Sequence, residues 1–273
     1  MVAIAQPVPA RPLPVRRIGP VRTMRHAFTL AWRAVVKIRH NPEQLLDVSL
    51  QPIIFVTMFV FLFGGAMAGM DRHQYLQYVL PGIAVQTVVF ASMGSGINLN
   101  TDITKGVFDR FRSLPIARSA PLTGLILGDL VRYAVSLGVL FGYGVILGFR
   151  FQTNPVQVLL GIALLTVFAL AVCWIWVLLG LVVKSPQSLQ GLGFVVGFPL
   201  TFGSNIFTQT ATLPGWLQAW VKINPVTSLT DATRGLLLGQ GPVVTPAWHA
   251  LAFAAGIVLV FAPLAVRVYR RKS

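Results

Sequence analysis

The sequence predicts an all-α polytopic membrane protein built around six transmembrane helices. Three observations predict it. Charged residues make up only 11% of the 273-residue chain, where an average soluble domain carries about 25%. Hydrophobic residues make up 55%, and mean hydropathy is +0.73; a soluble fold of this length still needs a large polar shell, so this much apolar surface calls for a bilayer. The basic residues gather at the ends of apolar runs, where membrane topology puts them. The net charge of +15 therefore reads as a signal of orientation, with nucleic acid binding excluded.

A spanning helix needs about 20 predominantly apolar residues. Six stretches meet that need: 50–69, 79–99, 121–148, 156–183, 189–207 and 247–267. The first closes on Gly64, Gly65 and Gly69. The fourth is without charge from Val156 to Val183, and the fifth is rich in Gly and Pro. Gly-x-x-x-Gly spacings at Gly65/Gly69, Gly124/Gly128, Gly138/Gly142, Gly144/Gly148 and Gly193/Gly197 suggest close backbone packing.

Residues 1–23 read as a disordered basic tail, rich in Pro and Arg and without the apolar core of a cleavable signal peptide. The first span then acts as an uncleaved anchor. Over 24–41, Phe28, Trp32, Val35 and Val36 recur at helical spacing, with Arg25, Arg33 and Lys37 on another face. That pattern suits a helix lying in the headgroup region, with an ordinary solvated amphipathic helix as the alternative. Placing the N-terminus in the cytoplasm leaves only Arg72, Arg150, Lys222 and Arg234 outside. This bias puts both termini on the cytoplasmic side of the cell membrane.

The 208–246 segment is long and still apolar. Trp216 and Trp220 stand one helical turn apart, and Asn224-Pro225 interrupts the run. It reads as short re-entrant helices in the outer leaflet; a plain external loop is the alternative. The cytoplasmic stretch 100–116 mixes both charge signs with an apolar stripe of Val107, Phe108, Phe111 and Leu114, and Pro115 stops it. Such a helix suits insertion into a partner's groove, although a solvated linker would satisfy the charge bias too.

No catalytic or metal-binding motif stands out. The chain has no phosphate-binding Gly-x-x-x-x-Gly-Lys-Ser/Thr loop, no His-Glu-x-x-His and no Gly-x-Ser-x-Gly. Its one cysteine, Cys173, sits in an apolar run and reads as a small core residue. Neither a bound cofactor nor an activity of an enzyme is expected of the chain itself. Asp129 and Arg132 fall inside the third span at i,i+3, where charge is expensive. They form either a neutralising pair near the cytoplasmic end or a polar point at a gate on the transport path. Phe55, Phe59, Phe90, Phe198 and Phe202 are candidates for an apolar lining or for core packing.

Three segments carry a family resemblance: NTDITKGVFDRFRSLPIARSAPLTGLILGDLVRY (100–133), YLQYVLPGIAVQTVVFASMGSGINL (75–99) and NPVTSLTDATRGLLLG (224–239). They resemble the daunorubicin-resistance membrane subunits of the ABC-2 transporter family in actinobacteria, over roughly residues 25–270. The resemblance implies the fold of that family: six spans, an N-terminal interfacial helix and a coupling helix between spans two and three. It implies two permease subunits, here a homodimer, and two copies of a separate ABC ATPase that binds ATP and Mg. The cargo implied is a hydrophobic drug, antibiotic or lipid. The coupling-helix positions of the family fall on Asp102, Lys105, Gly106, Phe108, Asp109, Arg110 and Arg112. Many ABC-2 permeases carry Glu-Arg-Glu followed by Gly-Thr here, and this chain departs from that pattern with Thr101-Asp102-Ile103-Thr104-Lys105-Gly106-Val107. Rival readings are export of polysaccharide, an ion-coupled secondary transporter, for which Asp129 is the one candidate carboxylate, and a membrane-embedded enzyme, which lacks a site.

Overall fold

The computed structural model describes residues 42–64, 71–106 and 120–272. Among them are eight α-helices, one 3-10 turn at Thr210–Thr212 and no strand. The helices are α1 (Pro42–Phe63), α2 (Arg72–Thr104), α3 (Ala120–Ile146), α4 (Pro155–Val182), α5 (Pro186–Phe202), α6 (Gly215–Ile223), α7 (Pro225–Leu238) and α8 (Val244–Lys272). The tail expected at 1–23 and the amphipathic helix expected at 24–41 lie outside the described residues.

Local sequence sets most of the helix starts. Asp71 and Gln74 form a capping box on α2, with Asp71 Oδ1 accepting from Gln74 N at 2.7 Å. Asn154, Ser185 and Asn224 cap α4, α5 and α7 through a side-chain oxygen, and each is followed by proline at the first helical position. Gly239 ends α7 in the left-handed region at φ +67°.

Four stretches are long and apolar enough to cross a membrane: Arg72–Thr104, Gly128–Ile146, Pro155–Val182 and Val244–Tyr269. This is a polytopic integral membrane protein. The two remaining stretches expected to span are shorter. The apolar part of α1 is Leu50–Phe63, and the 17 residues of α5 rise only about 25 Å. The expected span to residue 207 is corrected, because the chain leaves the helix after Phe202. Gly203 caps α5, and the Ser204 hydroxyl then donates to Thr201 O and accepts from Ile206 N. Those local bonds replace the helical ladder.

The bundle is organised around α2, which packs against α1, α3, α4, α5 and α7. Tyr75, Leu76, Leu80, Ile83 and Leu99 on α2 are among the most deeply buried side chains. Backbones of α2 and α4 touch directly: a Cβ added at Gly96 would stand 2.3 Å from Trp176 O. One added at Gly180 would stand 2.5 Å from Gly96 O. Glycine is required at both positions for that approach. The Gly193/Gly197 pair seats α5 on Met93 and Phe90 of α2, whereas Gly138 and Gly142 face nothing within 4 Å. Outside this core, α8 lies against α4 and α7 with most of its apolar surface exposed, as a lipid-facing helix has. On α6, Trp216, Trp220 and Ile223 are exposed along one stripe, and interfacial Trp belts look like this.

Candidate functional site

Three features make up the candidate site: a buried polar cluster, an aromatic ladder and an arginine-held segment. The polar cluster joins α2, α3 and α4. Arg132 Nη2 meets Asp129 Oδ1 at 2.7 Å, across one turn of α3. Asp129 Oδ2 accepts from the Ser95 hydroxyl on α2 and from Cys173 Sγ on α4 at 3.7 Å. Arg132 Nη2 also donates to Ala91 O at 2.7 Å. A methyl at Gly94 would lie 2.5 Å from Arg132 Nη1, so the missing side chain is what admits the guanidinium. Ser95, Asp129 and Cys173 each stand nine residues from a helix end, namely Thr104, Ala120 and Val182, or about 14 Å in. The cluster is therefore a single layer through three helices. Closer to that end, Asn100 Nδ2 donates to Gly180 O at 2.9 Å and Val183 O at 2.7 Å, tying α2 to the end of α4.

The aromatic ladder gathers all five phenylalanines singled out in the sequence. Phe55 stacks on Phe59 with centroids 6.0 Å apart. Phe59 approaches Phe202 at 6.3 Å, Phe202 stacks on Phe198 at 5.1 Å, and Phe198 meets Phe90 edge-on at 5.8 Å. The sequence reading missed three further rungs. Phe194 packs on Phe198 at 5.6 Å, and Phe63 and Phe207 stack on Phe59 at 5.4 Å and 4.0 Å. The rungs on α5 recur every fourth residue (194, 198, 202), a signal legible from spacing alone. Phe59 and Phe90 are buried, while Phe194, Phe198 and Phe202 are each about 40% exposed. The ladder thus has a packed back on α1 and α2 and an open edge on α5.

The residues assigned to coupling are divided. Asn100 to Thr104 prolong α2, and Lys105 and Gly106 turn away from it, Gly106 at φ +68°. The helix expected over 100–116 therefore does not begin at Asn100; the Asn100 bonds to α4 keep that turn on α2. Asp102 is half-buried and Lys105 exposed. Phe108, Asp109, Arg110 and Arg112 lie outside the described residues.

The third feature was hidden. Arg234, grouped with the external charges on sequence grounds, is only 6% exposed. Its Nη2 donates to Asn205 O at 2.9 Å and Ile206 O at 3.0 Å, and its Nε to Tyr78 O at 3.1 Å. The guanidinium lies over the Tyr78 ring at 3.8 Å, and Asp231 stands 3.7 Å away. The available signal was the i,i+3 Asp/Arg spacing that it shares with Asp129 and Arg132. Among the described residues no cluster of His, Cys, Asp and Glu could hold a metal ion.

The family model of the ABC-2 type transporter matches residues 25–238. A daunorubicin resistance ABC transporter permease protein of Streptomyces coeruleorubidus is 44% identical over 249 residues, covering 90% of this chain and 86% of that protein. A probable doxorubicin resistance ABC transporter permease protein of Mycobacterium tuberculosis is 29% identical, covering 81% of this chain and 80% of its own length. A second doxorubicin resistance permease of that organism is 28% identical, covering 78% and 76%. The family match runs through the helices that carry both polar clusters and the ladder, and the chain belongs to the ABC-2 type transporter family.

Proposed function

We propose that this chain is the membrane permease of an ATP-driven exporter that moves a lipophilic, drug-like molecule out across the cytoplasmic membrane. ATP is bound and hydrolysed by a separate subunit. The observation that carries this reading is the nearly full-length likeness to the Streptomyces daunorubicin resistance permease. The open aromatic ladder supports the class of cargo, since stacked rings with one exposed edge suit a flat apolar molecule. In this reading α1 and α5 complete a six-span unit with both termini in the cytoplasm, as the Lys and Arg bias implies. The end where α1 stops and α2 starts is then the outer one.

The working assembly is two permease chains, as a homodimer, with two ATPase subunits docked on 100–116 through Asp102, Lys105, Gly106, Phe108, Asp109, Arg110 and Arg112. Supporting this is the polar cluster, which ties α2, α3 and α4 into one block about 14 Å in from the end of α2 that leads into that segment. A push on the segment then moves the block as a unit instead of splaying its helices. Phe55, Phe59, Phe90, Phe198 and Phe202 line the path, while Asp129 and Arg132 brace it.

The test is drug uptake into inverted vesicles that hold the permease with its ATPase. Uptake should require ATP hydrolysis, persist with a proton ionophore, and fall when Asp109 and Arg110 are both replaced by Ala. Uptake that collapses with the ionophore and proceeds without ATP would falsify the reading in favour of ion coupling.

A further inference from the structure

We infer that Arg234 positions the outer closure of the transport path. It holds the non-helical segment Gly203–Phe207 across the end of the aromatic ladder, and export requires those bonds to be exchanged for water. The inference rests on the exporter reading above.

Backbone that is not helical has to satisfy its carbonyls within the protein at membrane depth. In this segment side chains from elsewhere do so. Asn224 Nδ2 donates to Gly203 O at 3.0 Å. Tyr78 OH donates to Asn205 O at 2.9 Å, the oxygen that Arg234 also reaches. Arg234 Nη2 takes Ile206 O, and Tyr75 OH approaches Phe207 O at 3.4 Å. These donors belong to α2, to α7 and to the N-cap of α7, so the bonds can be released without unwinding any helix. Releasing a spanning helix from its own ladder has no such route.

The segment also carries a rung of the ladder. Phe207 stacks on Phe59 at 4.0 Å and on Phe202 at 4.9 Å. Its neighbour Ile206 is fully buried against Gly82, where an added Cβ would come within 2.8 Å of Ile206 Cγ2. The seat is therefore fitted to the closed position. A way to water is built in as well: the Asp231 side chain is 41% exposed, and it accepts from Asn205 Nδ2 at 2.6 Å. A single guanidinium spans two adjacent carbonyls here, which a lysine ammonium on its flexible stem cannot reproduce.

The experiment uses the full permease with its ATPase in right-side-out vesicles. Ser204→Cys supplies a thiol within the segment; the one native cysteine, Cys173, is buried. A membrane-impermeant maleimide is added outside, without nucleotide. Labelling should be slow in this parent and several-fold faster once Arg234→Lys is added. Tyr78→Phe should shift it the same way by less. Arg234→Lys should keep ATP hydrolysis while net drug transport falls, a split that loss of folding would not produce. Equal labelling rates in the parent and both variants, with subunits still copurifying, overturn the inference. If Arg234→Lys fails to assemble, the Tyr78→Phe rate decides alone. Failure of the exporter reading would look different: ATP-independent drug movement by the parent, with the labelling difference intact.

Discussion

Two Asp-x-x-Arg pairs, 129/132 and 231/234, start from one sequence pattern and reach opposite structural ends. Asp129 and Arg132 are both almost fully buried and meet at 2.7 Å. The carboxylate takes further donors from two other helices, so the pair closes on itself and bonds three helices together. Arg234 is as deeply buried, yet Asp231 is 41% exposed and stands off at 3.7 Å. Its guanidinium satisfies carbonyls instead. The difference lies in what surrounds each arginine. Around Arg132 the neighbouring backbone is helical, so its strongest acceptor is the carboxylate one turn away. Around Arg234 a helix has just ended, and its freed carbonyls compete for the donors. One pair makes a joint between rigid rods, and the other makes a clasp on an irregular strap.

The largest test breaks the first pair. Asp129→Leu leaves a buried guanidinium without its counter-ion, which costs about 3–5 kcal/mol. The complex should lose most of its folded permease, read as recovery after detergent extraction and heating. Replacing Asp129 and Arg132 together by Leu should recover most of that loss, because no uncompensated charge remains. A double variant as damaged as the single one would mean that shape, and not charge pairing, holds the joint.

A smaller effect sharpens the same point through glycine. Gly94→Ala brings a methyl against Arg132 Nη1, whose group is fastened by Asp129 and Ala91 and cannot swing aside. Overpacking of this kind costs about 1–3 kcal/mol. Gly138→Ala on the next helix meets nothing within 4 Å and should be neutral or stabilising by up to about 1 kcal/mol. Thermal inactivation of the purified complex measures both.

Cargo handling separates from stability at the ladder. Phe198 is 42% exposed, so Phe198→Ala removes less packing than Phe59→Ala, where burial raises the loss to about 3–5 kcal/mol. Drug transport should nevertheless fall in the Phe198 variant with its melting temperature nearly unchanged. Equal transport in vesicles with and without that ring would remove the ladder's exposed edge from the path.

Much of this was legible in residue order. Apolar runs announced the long helices. Asn-Pro and Ser-Pro pairs stand where α4, α5 and α7 begin, but of these only Asn224-Pro225 was noticed, as a break in an apolar run. The five phenylalanines were chosen singly, and the bundle assembles them into one ladder. The clasp was not legible, because a basic residue after a short amphipathic stretch looks solvated until the missing helical turns at 203–207 are known. The end of α5 was misplaced for the same reason. Apolar character continues past Phe202, but Ser204 bonds locally and stops the ladder. Hydropathy registers neither event, since both depend on where single polar atoms find partners.

The smallest predicted effect is Asp231→Asn, and it probes the comparison most directly. The amide oxygen can still accept from Asn205 Nδ2, so the 2.6 Å bond survives. What disappears is a charge 3.7 Å from Arg234 on a side chain that is 41% exposed. Water screens such a pair, and its worth is about 0.2–1 kcal/mol. The guanidinium keeps its three carbonyls. The melting temperature of the complex should therefore drop by less than about 4 °C, with transport retained, while the matched change Asp129→Asn lowers it much further. If the two substitutions cost the same, Arg234 depends on its carboxylate as Arg132 does, and the clasp is only a second copy of the joint.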